Sequence, residues 1–151
     1  MSDDLIKLYS GRILELAASL PAPAPLDGPD GTAKVRSPLC GSTVTVEVGL
    51  NAEGRIARYS QDVKACALGQ ASAAVSGAAM VGRTRAEVAA ARDQLRAMLK
   101  AGGPVPDAPF DGLEVLRPAV DFRNRHASIL LALDATVQAM DAAMADAVTG
   151  A

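Results

Sequence analysis

The chain has few of the side chains that carry most protein chemistry. Its 151 residues include two cysteines, one histidine and no tryptophan, and aromatic residues make up 3% of the total. So few aromatic rings leave no surface on which several nucleobases could stack. The net charge of −2 provides no basic excess for a phosphate backbone. We therefore expect no nucleic-acid partner.

Long apolar runs and targeting signals are also missing. No apolar run approaches the ~18 residues needed to cross a bilayer. Residues 1–4 are acidic, whereas a secretory signal peptide begins with positive charge. We therefore expect a cytoplasmic protein that is not bound to a membrane. In that reducing compartment, two cysteines are more often free thiols or metal ligands than a disulfide.

Hydrophobic periodicity predicts the element order α-β-β-β-α-α-α. We predict helices at residues 5–20, 67–80, 84–100 and 124–147, strands at 33–36, 43–48 and 55–60, and a helical turn at 112–116 closed by Pro118. Short turns between successive strands require antiparallel pairing. Thr84 and Glu87 have the spacing of a capping box at the start of the third helix.

The expected fold class is α+β, with a three-stranded antiparallel sheet packed by helices on one face. We expect a single domain over residues 1–151. It would consist of an N-terminal helix at 1–20, a linker rich in proline and glycine at 21–31, and a core at 32–147.

The two cysteines occupy positions at which a thiol can be chemically active. Cys66 lies at a predicted strand-to-helix junction, where the helix N-terminus stabilises a thiolate. Cys40 lies in a Pro-Leu-Cys-Gly turn, and Gly41 permits the close approach of a ligand. A thiolate is the form that binds metal or attacks sulfur. The alternative is that both are small buried hydrophobic residues.

Five motifs in a fixed order carry a family resemblance. They are Cys40-Gly41 before the hairpin, Gly54-Arg55-Ile56 in its turn, Cys66-Ala67 before a helix of small residues, Val81-Gly82-Arg83-Thr84, and Arg125-His126-Ala127-Ser128-Ile129-Leu130. Together they resemble the NifU N-terminal and IscU family of iron–sulfur cluster scaffolds. The resemblance covers roughly residues 32–142. The long span between Cys66 and Ala127 is similar to the SufU-like members.

The resemblance implies a scaffold or sulfur carrier that is not an enzyme. It implies that iron or an iron–sulfur cluster binds at Cys40, Cys66 and His126. It also implies that a cysteine desulfurase delivers sulfur and that apo iron–sulfur client proteins receive the cluster. The family usually has an aspartate after the first Cys-Gly and a third cysteine. Here Ser42 takes the aspartate position, and Ala127 takes the cysteine position, or Ser128 if the alignment shifts by one residue.

Two thiolates and an imidazole provide three of the four ligands that tetrahedral zinc or cluster iron requires. Water, a partner's cysteine, Asp121 or Asp62 could provide the fourth, and a dimer could combine four cysteines. We expect a monomer or a weak homodimer. Two alternatives stay open: a zinc-binding SufU-like sulfur acceptor, and a degenerate paralogue that acts as an interaction module without metal. His126 could also be an ordinary polar residue at a helix start.

Overall fold

The computed structural model describes residues 10–38 and 40–149, and side chains as far as residue 145. The helices are α1 (Gly11–Ala18), α2 (Ala67–Ala78), α3 (Arg85–Ala101) and α4 (His126–Thr149). The strands are β1 (Gly31–Arg36), β2 (Thr43–Leu50) and β3 (Ile56–Lys64). Two 3₁₀ segments, Asp111–Asp121 and Arg123–Arg125, precede α4. The described elements follow the predicted order.

The strands form one antiparallel sheet with β2 in the centre. Val44, Val46 and Val48 of β2 are at most 1% exposed, because alternate side chains of a strand point to the same face. Helix α4 packs against β1 and β2. The predicted α+β fold, with a three-stranded sheet covered by helices, is confirmed.

Helix α4 is the central helix of the fold. Ile129, Leu133 and Met140 are completely buried along its length. It approaches the sheet closely at Gly31, where a Cβ atom would overlap the carbonyl oxygen of Ala139. The segment Arg123–Ala145 is long and apolar enough to cross a membrane, but 67% of its most apolar window is buried inside the fold. Such burial is typical of a core helix. The segment is not one unbroken apolar run, because polar residues interrupt it.

Helix α3 has the predicted signals at both ends. The Glu87 amide donates to the Thr84 hydroxyl at 3.2 Å, and the Thr84 amide donates to the Glu87 carboxylate at 3.2 Å. The predicted capping box is therefore confirmed. Gly102 follows the helix with a φ of 65°, a left-handed conformation that glycine adopts without steric cost.

The chain between α3 and α4 differs from the prediction. A single helical turn ending at Pro118 was expected, but the 3₁₀ segment runs from Asp111 to Asp121 and includes Pro118. Proline fixes φ near −65°, which suits a 3₁₀ helix, and costs only the one hydrogen bond that its nitrogen cannot donate. Leu113 and Leu116 in this segment are completely buried, so packing against the core holds it in place.

The N-terminal part of the chain is attached to the body. The predicted helix at 5–20 is present as α1, and the part before residue 10 lies outside the described residues. Ile13 of α1 is 1% exposed. In the linker, the Leu26 amide donates to the Glu47 carboxylate at 2.9 Å, and Arg58 donates to the Asp27 carbonyl oxygen at 2.8 Å. Residues 21–30 of the linker thus have no regular structure but contact two strands, and Gly31 already belongs to β1.

Candidate functional site

The strand register brings the two cysteine segments to one end of the sheet. Thr43 at the start of β2 pairs with Arg36 at the end of β1 and with Lys64 at the end of β3. Cys40 lies in the turn that joins β1 to β2, and Cys66 lies two residues after β3. The sheet therefore places both cysteines near each other, although they are 26 positions apart in the chain.

The local backbone leaves both thiols available. In the Cys40 turn, the Ser37 amide donates to the Ser42 carbonyl oxygen at 2.8 Å, and Gly41 has a φ of 73° that permits the tight reversal. Cys66 is the N-cap residue of α2, but its side chain makes no capping hydrogen bond. Cys40 is exposed and Cys66 is partly buried.

Two serine hydroxyls connect the thiols, and we call these four side chains the Cys-Ser cluster: Cys40, Ser42, Ser128 and Cys66. The Cys40 sulfur lies 3.0 Å from the Ser42 hydroxyl oxygen, and the Cys66 sulfur lies 3.5 Å from the Ser128 hydroxyl oxygen. Ser128 donates to Ser42 at 3.3 Å. A cavity of about 270 Å³ opens onto the cluster, lined by Cys40, Cys66, Asn124, Arg125 and Ser128.

The hydroxyl groups favour the thiolate form of Cys40. The Ser37 hydroxyl oxygen lies 3.5 Å from its sulfur. Hydrogen bonds from Ser37, and then from the side chain and backbone of Ser42, lower the pKa of Cys40 to about 7, since a hydrogen bond to the charged form stabilises it. A substantial fraction of Cys40 is therefore a nucleophilic thiolate near neutral pH.

His126 faces a different cavity. It is 5% exposed, and its Nε2 lies 2.8 Å from the carbonyl oxygen of Ala119, so Nε2 carries the proton and donates it. His126 lines a cavity of about 620 Å³ together with Arg36, Lys100, Arg123 and Asp134. Ala127 lines the same cavity. The structure thus brings Cys40 and Cys66 together but does not bring His126 to them.

Ser128 is the residue of the Arg125–Leu130 motif whose side chain contacts a thiol. Ala127 lines the cavity that contains His126, whereas Ser128 contacts Cys66. The assignment of the third-cysteine position to Ala127 or to Ser128 stays a prediction. Asp62 and Asp121, considered above as fourth ligands, are not among the residues that line the thiol cavity.

The residues present do not fit a resident metal ion. Among the described residues, no group of three histidine, cysteine, aspartate or glutamate side chains lies close enough to hold one. Zinc in proteins takes its ligands from cysteine, histidine and carboxylate side chains. The cluster offers two thiols and two neutral hydroxyls. Metal binding at Cys40, Cys66 and His126 stays a prediction that the arrangement of these residues does not favour.

The sequence pattern does not predict the contacts of the serines with the thiols. It assigns no role to Ser37 and identifies Ser42 and Ser128 only as replacements for lost ligands. The position of Ser37 and Ser42 on either side of Cys40 in one turn is a signal that could have identified them. Ser128 is 62 residues from Cys66, so only the tertiary fold shows their contact.

The fold and the paired thiols define a small α+β protein with a cysteine site at one end of its sheet. No protein-family profile matches the chain, and no curated protein matches it. Solved structures, in contrast, match the chain. A nitrogen-fixing NifU-like protein (N-terminal part) from Brucella abortus is 39% identical, with a TM-score of 0.89 over 94% of this chain and 98% of that one.

A second solved structure agrees in fold. It is described as an iron–sulfur cluster assembly scaffold protein for the SUF system of Fervidobacterium islandicum. It is 18% identical, with a TM-score of 0.78 over 89% of this chain and 98% of that one. The identity and coverage of the Brucella protein show the relationship: this chain belongs to the NifU N-terminal-like family.

Proposed function

We propose that the protein acts in iron–sulfur cluster assembly as a scaffold-type sulfur acceptor. A cysteine desulfurase would deliver the sulfur, and apo iron–sulfur client proteins would receive it in a cluster. Membership of the NifU N-terminal-like family and the fold shared with a SUF-system scaffold support this role. The protein would work in the cytoplasm as a carrier rather than as an enzyme. The accepted sulfur would stay bonded to a cysteine side chain of this protein until a client receives it.

The observation that carries the proposal is the environment of Cys40. Its thiol is exposed, so the persulfide of a docked donor protein can reach it. The hydroxyls of Ser37 and Ser42 lie 3.5 Å and 3.0 Å from its sulfur and lower its pKa to about 7. A thiol with a pKa near the ambient pH combines a high thiolate fraction with good nucleophilicity.

The transfer step needs no oxidant or reductant. The Cys40 thiolate attacks the terminal sulfur of the donor persulfide, and a new S–S bond forms at Cys40. The S–S bond of the donor breaks, and the donor cysteine leaves as a thiolate. The proton of the persulfide stays with the transferred sulfur, so Cys40 becomes a persulfide and the donor returns to its resting state.

Cys66 is the second thiol of the same cavity and would hold cargo together with Cys40. Iron or a nascent cluster bound there would have two thiolate ligands from this chain. A cluster usually has four protein ligands, so the client, the desulfurase or a second copy of the chain would provide the others. Cargo binding is therefore expected only in a complex.

Mass spectrometry of the sulfur-loaded protein tests the proposal. The reduced protein is incubated with a bacterial cysteine desulfurase and L-cysteine, or with glutathione persulfide as a small donor, and is then alkylated. We expect a gain of one sulfur atom on the peptide that contains Cys40. The Cys66→Ala variant is the matched control and should still accept sulfur.

Comparing the two donors distinguishes the reactivity of Cys40 from the identity of the protein that delivers the sulfur. Loading by glutathione persulfide without loading by the desulfurase would show a reactive Cys40 and contradict the proposed partner. If neither donor places sulfur on Cys40 of the folded protein, the proposed function is wrong.

A further inference from the structure

Neighbouring atoms of the Cys-Ser cluster are as close together as two metal ligands, but they do not have the chemistry of a ligand set. Its four polar atoms follow one another at 3.0, 3.3 and 3.5 Å, from the Cys40 sulfur through the two hydroxyls to the Cys66 sulfur. In a tetrahedral site with Zn–S bonds of about 2.3 Å, neighbouring sulfur ligands lie about 3.8 Å apart. Each neighbouring pair of the four atoms is thus as close together as two ligands of one ion.

Two of the four atoms cannot act as ligands of useful strength. The hydroxyls of Ser42 and Ser128 are neutral, and the structural and catalytic zinc sites of proteins use thiolate, imidazole and carboxylate instead. Both serines are buried, with exposed fractions of 6% and 2%. Their side chains point at each other and at the thiols, so they fill the space between the two sulfurs.

Nothing nearby substitutes for them within the described part of the chain. In that part, no histidine, aspartate or glutamate joins the two thiols as a third possible ligand. The nearest histidine in sequence, His126, donates its Nε2 proton to Ala119 and lines the neighbouring cavity.

We infer that Ser42 and Ser128 keep the paired cysteines of the isolated chain free of metal, and that these two positions determine whether the chain by itself holds an ion. Hydrogen bonds from hydroxyls, rather than a metal ion, then stabilise the thiolate. The sulfur-accepting use of this metal-free site rests on the proposed function, whereas the absence of a bound metal does not. A donor would reach Cys40 without first displacing an ion.

Zinc binding by wild type and by the Ser42→Cys/Ser128→Cys variant tests the inference. Each substitution replaces one oxygen atom by sulfur, and together they would provide a Cys₄ set. We expect wild type to be purified without stoichiometric zinc or iron and to give up added zinc to a weak chelator. The double variant should retain about one zinc ion per chain, the stoichiometry of a tetrahedral Cys₄ site.

The Ser19→Cys/Ser76→Cys variant is the control for thiol number. It also has four cysteines, but neither Ser19 nor Ser76 contacts the cluster: Ser19 bonds to the Leu16 carbonyl oxygen and Ser76 to the Ser72 carbonyl oxygen. It should bind no more zinc than wild type. Equal zinc retention by the control and the cluster variant would overturn the inference.

Wild-type protein that retains stoichiometric zinc or iron against the chelator would also overturn it. So would a cluster variant that has the wild-type circular dichroism spectrum but gains no zinc. If the double variant does not fold, the metal content of wild type and of Ser128→Cys alone decides the question. The sulfur-transfer assay has a separate readout, so its failure would affect only the proposed function.

Discussion

Two cavities meet at the N-terminus of α4, and they differ in chemistry. The thiol cavity contains Cys40, Cys66 and Ser128. The neighbouring cavity is larger and charged, with Arg36, Lys100, Arg123, His126 and Asp134. Burial raises the pKa of Asp134 there, although Arg96 and Arg92 partly oppose the effect.

The first turn of α4 divides a continuous motif between these cavities. Successive residues of an α-helix are rotated by about 100° around its axis, so residues two positions apart point in nearly opposite directions. His126 and Ala127 line the charged cavity, whereas Ser128, two positions after His126, lines the thiol cavity together with Arg125 of the preceding 3₁₀ segment. His126 is next to an expected ligand position in the sequence, but this does not place it in the thiol cavity.

The largest expected effect is the loss of sulfur acceptance in Cys40→Ala. With the thiolate removed, persulfide loading should fall to background, while Cys66→Ala should keep loading at Cys40. Intact-mass measurement after incubation with glutathione persulfide checks both variants. Equal loading of the two variants would contradict the assignment of Cys40 as the acceptor.

Gly69→Ala should disturb the packing around Ser128, which lines the thiol cavity. A Cβ atom at Gly69 would lie 2.6 Å from the Ser128 hydroxyl oxygen and 2.8 Å from the Ala65 Cβ. Such overpacking should lower the free energy of unfolding by about 1–3 kcal/mol, measured by urea denaturation. Gly11→Ala is the matched control, because an added Cβ meets nothing within 4 Å there. Gly11 is the first residue of α1, so this substitution should not lower the free energy of unfolding, and a similar loss in both variants would refute the proposed contact.

His126→Ala should affect stability but not thiol chemistry. Removing the Nε2 donor leaves the Ala119 carbonyl oxygen without this hydrogen bond, and we expect a loss of about 1–3 kcal/mol in unfolding free energy. Alkylation and persulfide loading of Cys40 should match wild type at a temperature where both are folded. A specific loss of thiol reactivity in the folded variant would show that the two cavities are coupled and that His126 contributes to the thiol site.

Ser37→Ala should produce the smallest effect, a shift in the pH profile of Cys40. The Ser37 hydroxyl is the largest cause of the lowered pKa, so its removal raises that pKa from about 7 towards the ordinary value of 9.0. The thiolate is present above the pKa and is lost as pH falls through it, so the alkylation profile should move to higher pH. A rise of about one unit would lower the thiolate fraction at pH 7 about fivefold.

The rate of iodoacetamide alkylation between pH 5 and 10 measures this shift, in a Cys66→Ala background that leaves one thiol. Ser19→Ala is the control, since the exposed Ser19 hydroxyl bonds to Leu16 far along the chain from Cys40. An unchanged profile in Ser37→Ala would exclude Ser37 as the cause.

Much of the fold could be predicted from the sequence because local patterns specify it. The alternation in β2 and the capping box at Thr84 and Glu87 are visible without any tertiary information. The 3₁₀ segment around Pro118 could not be predicted in this way. Its extent depends on the burial of Leu113 and Leu116 against the core, and such packing overrides local preference.

The sequence by itself determined the element order, the antiparallel sheet and the position of Cys40 in a turn and of Cys66 at a helix start. These features depend on residues close together in the chain. The tertiary structure alone decided that Ser128, rather than Ala127 or His126, joins the thiols. That choice depends on the rotation of α4 about its axis, which its buried face fixes against β1 and β2.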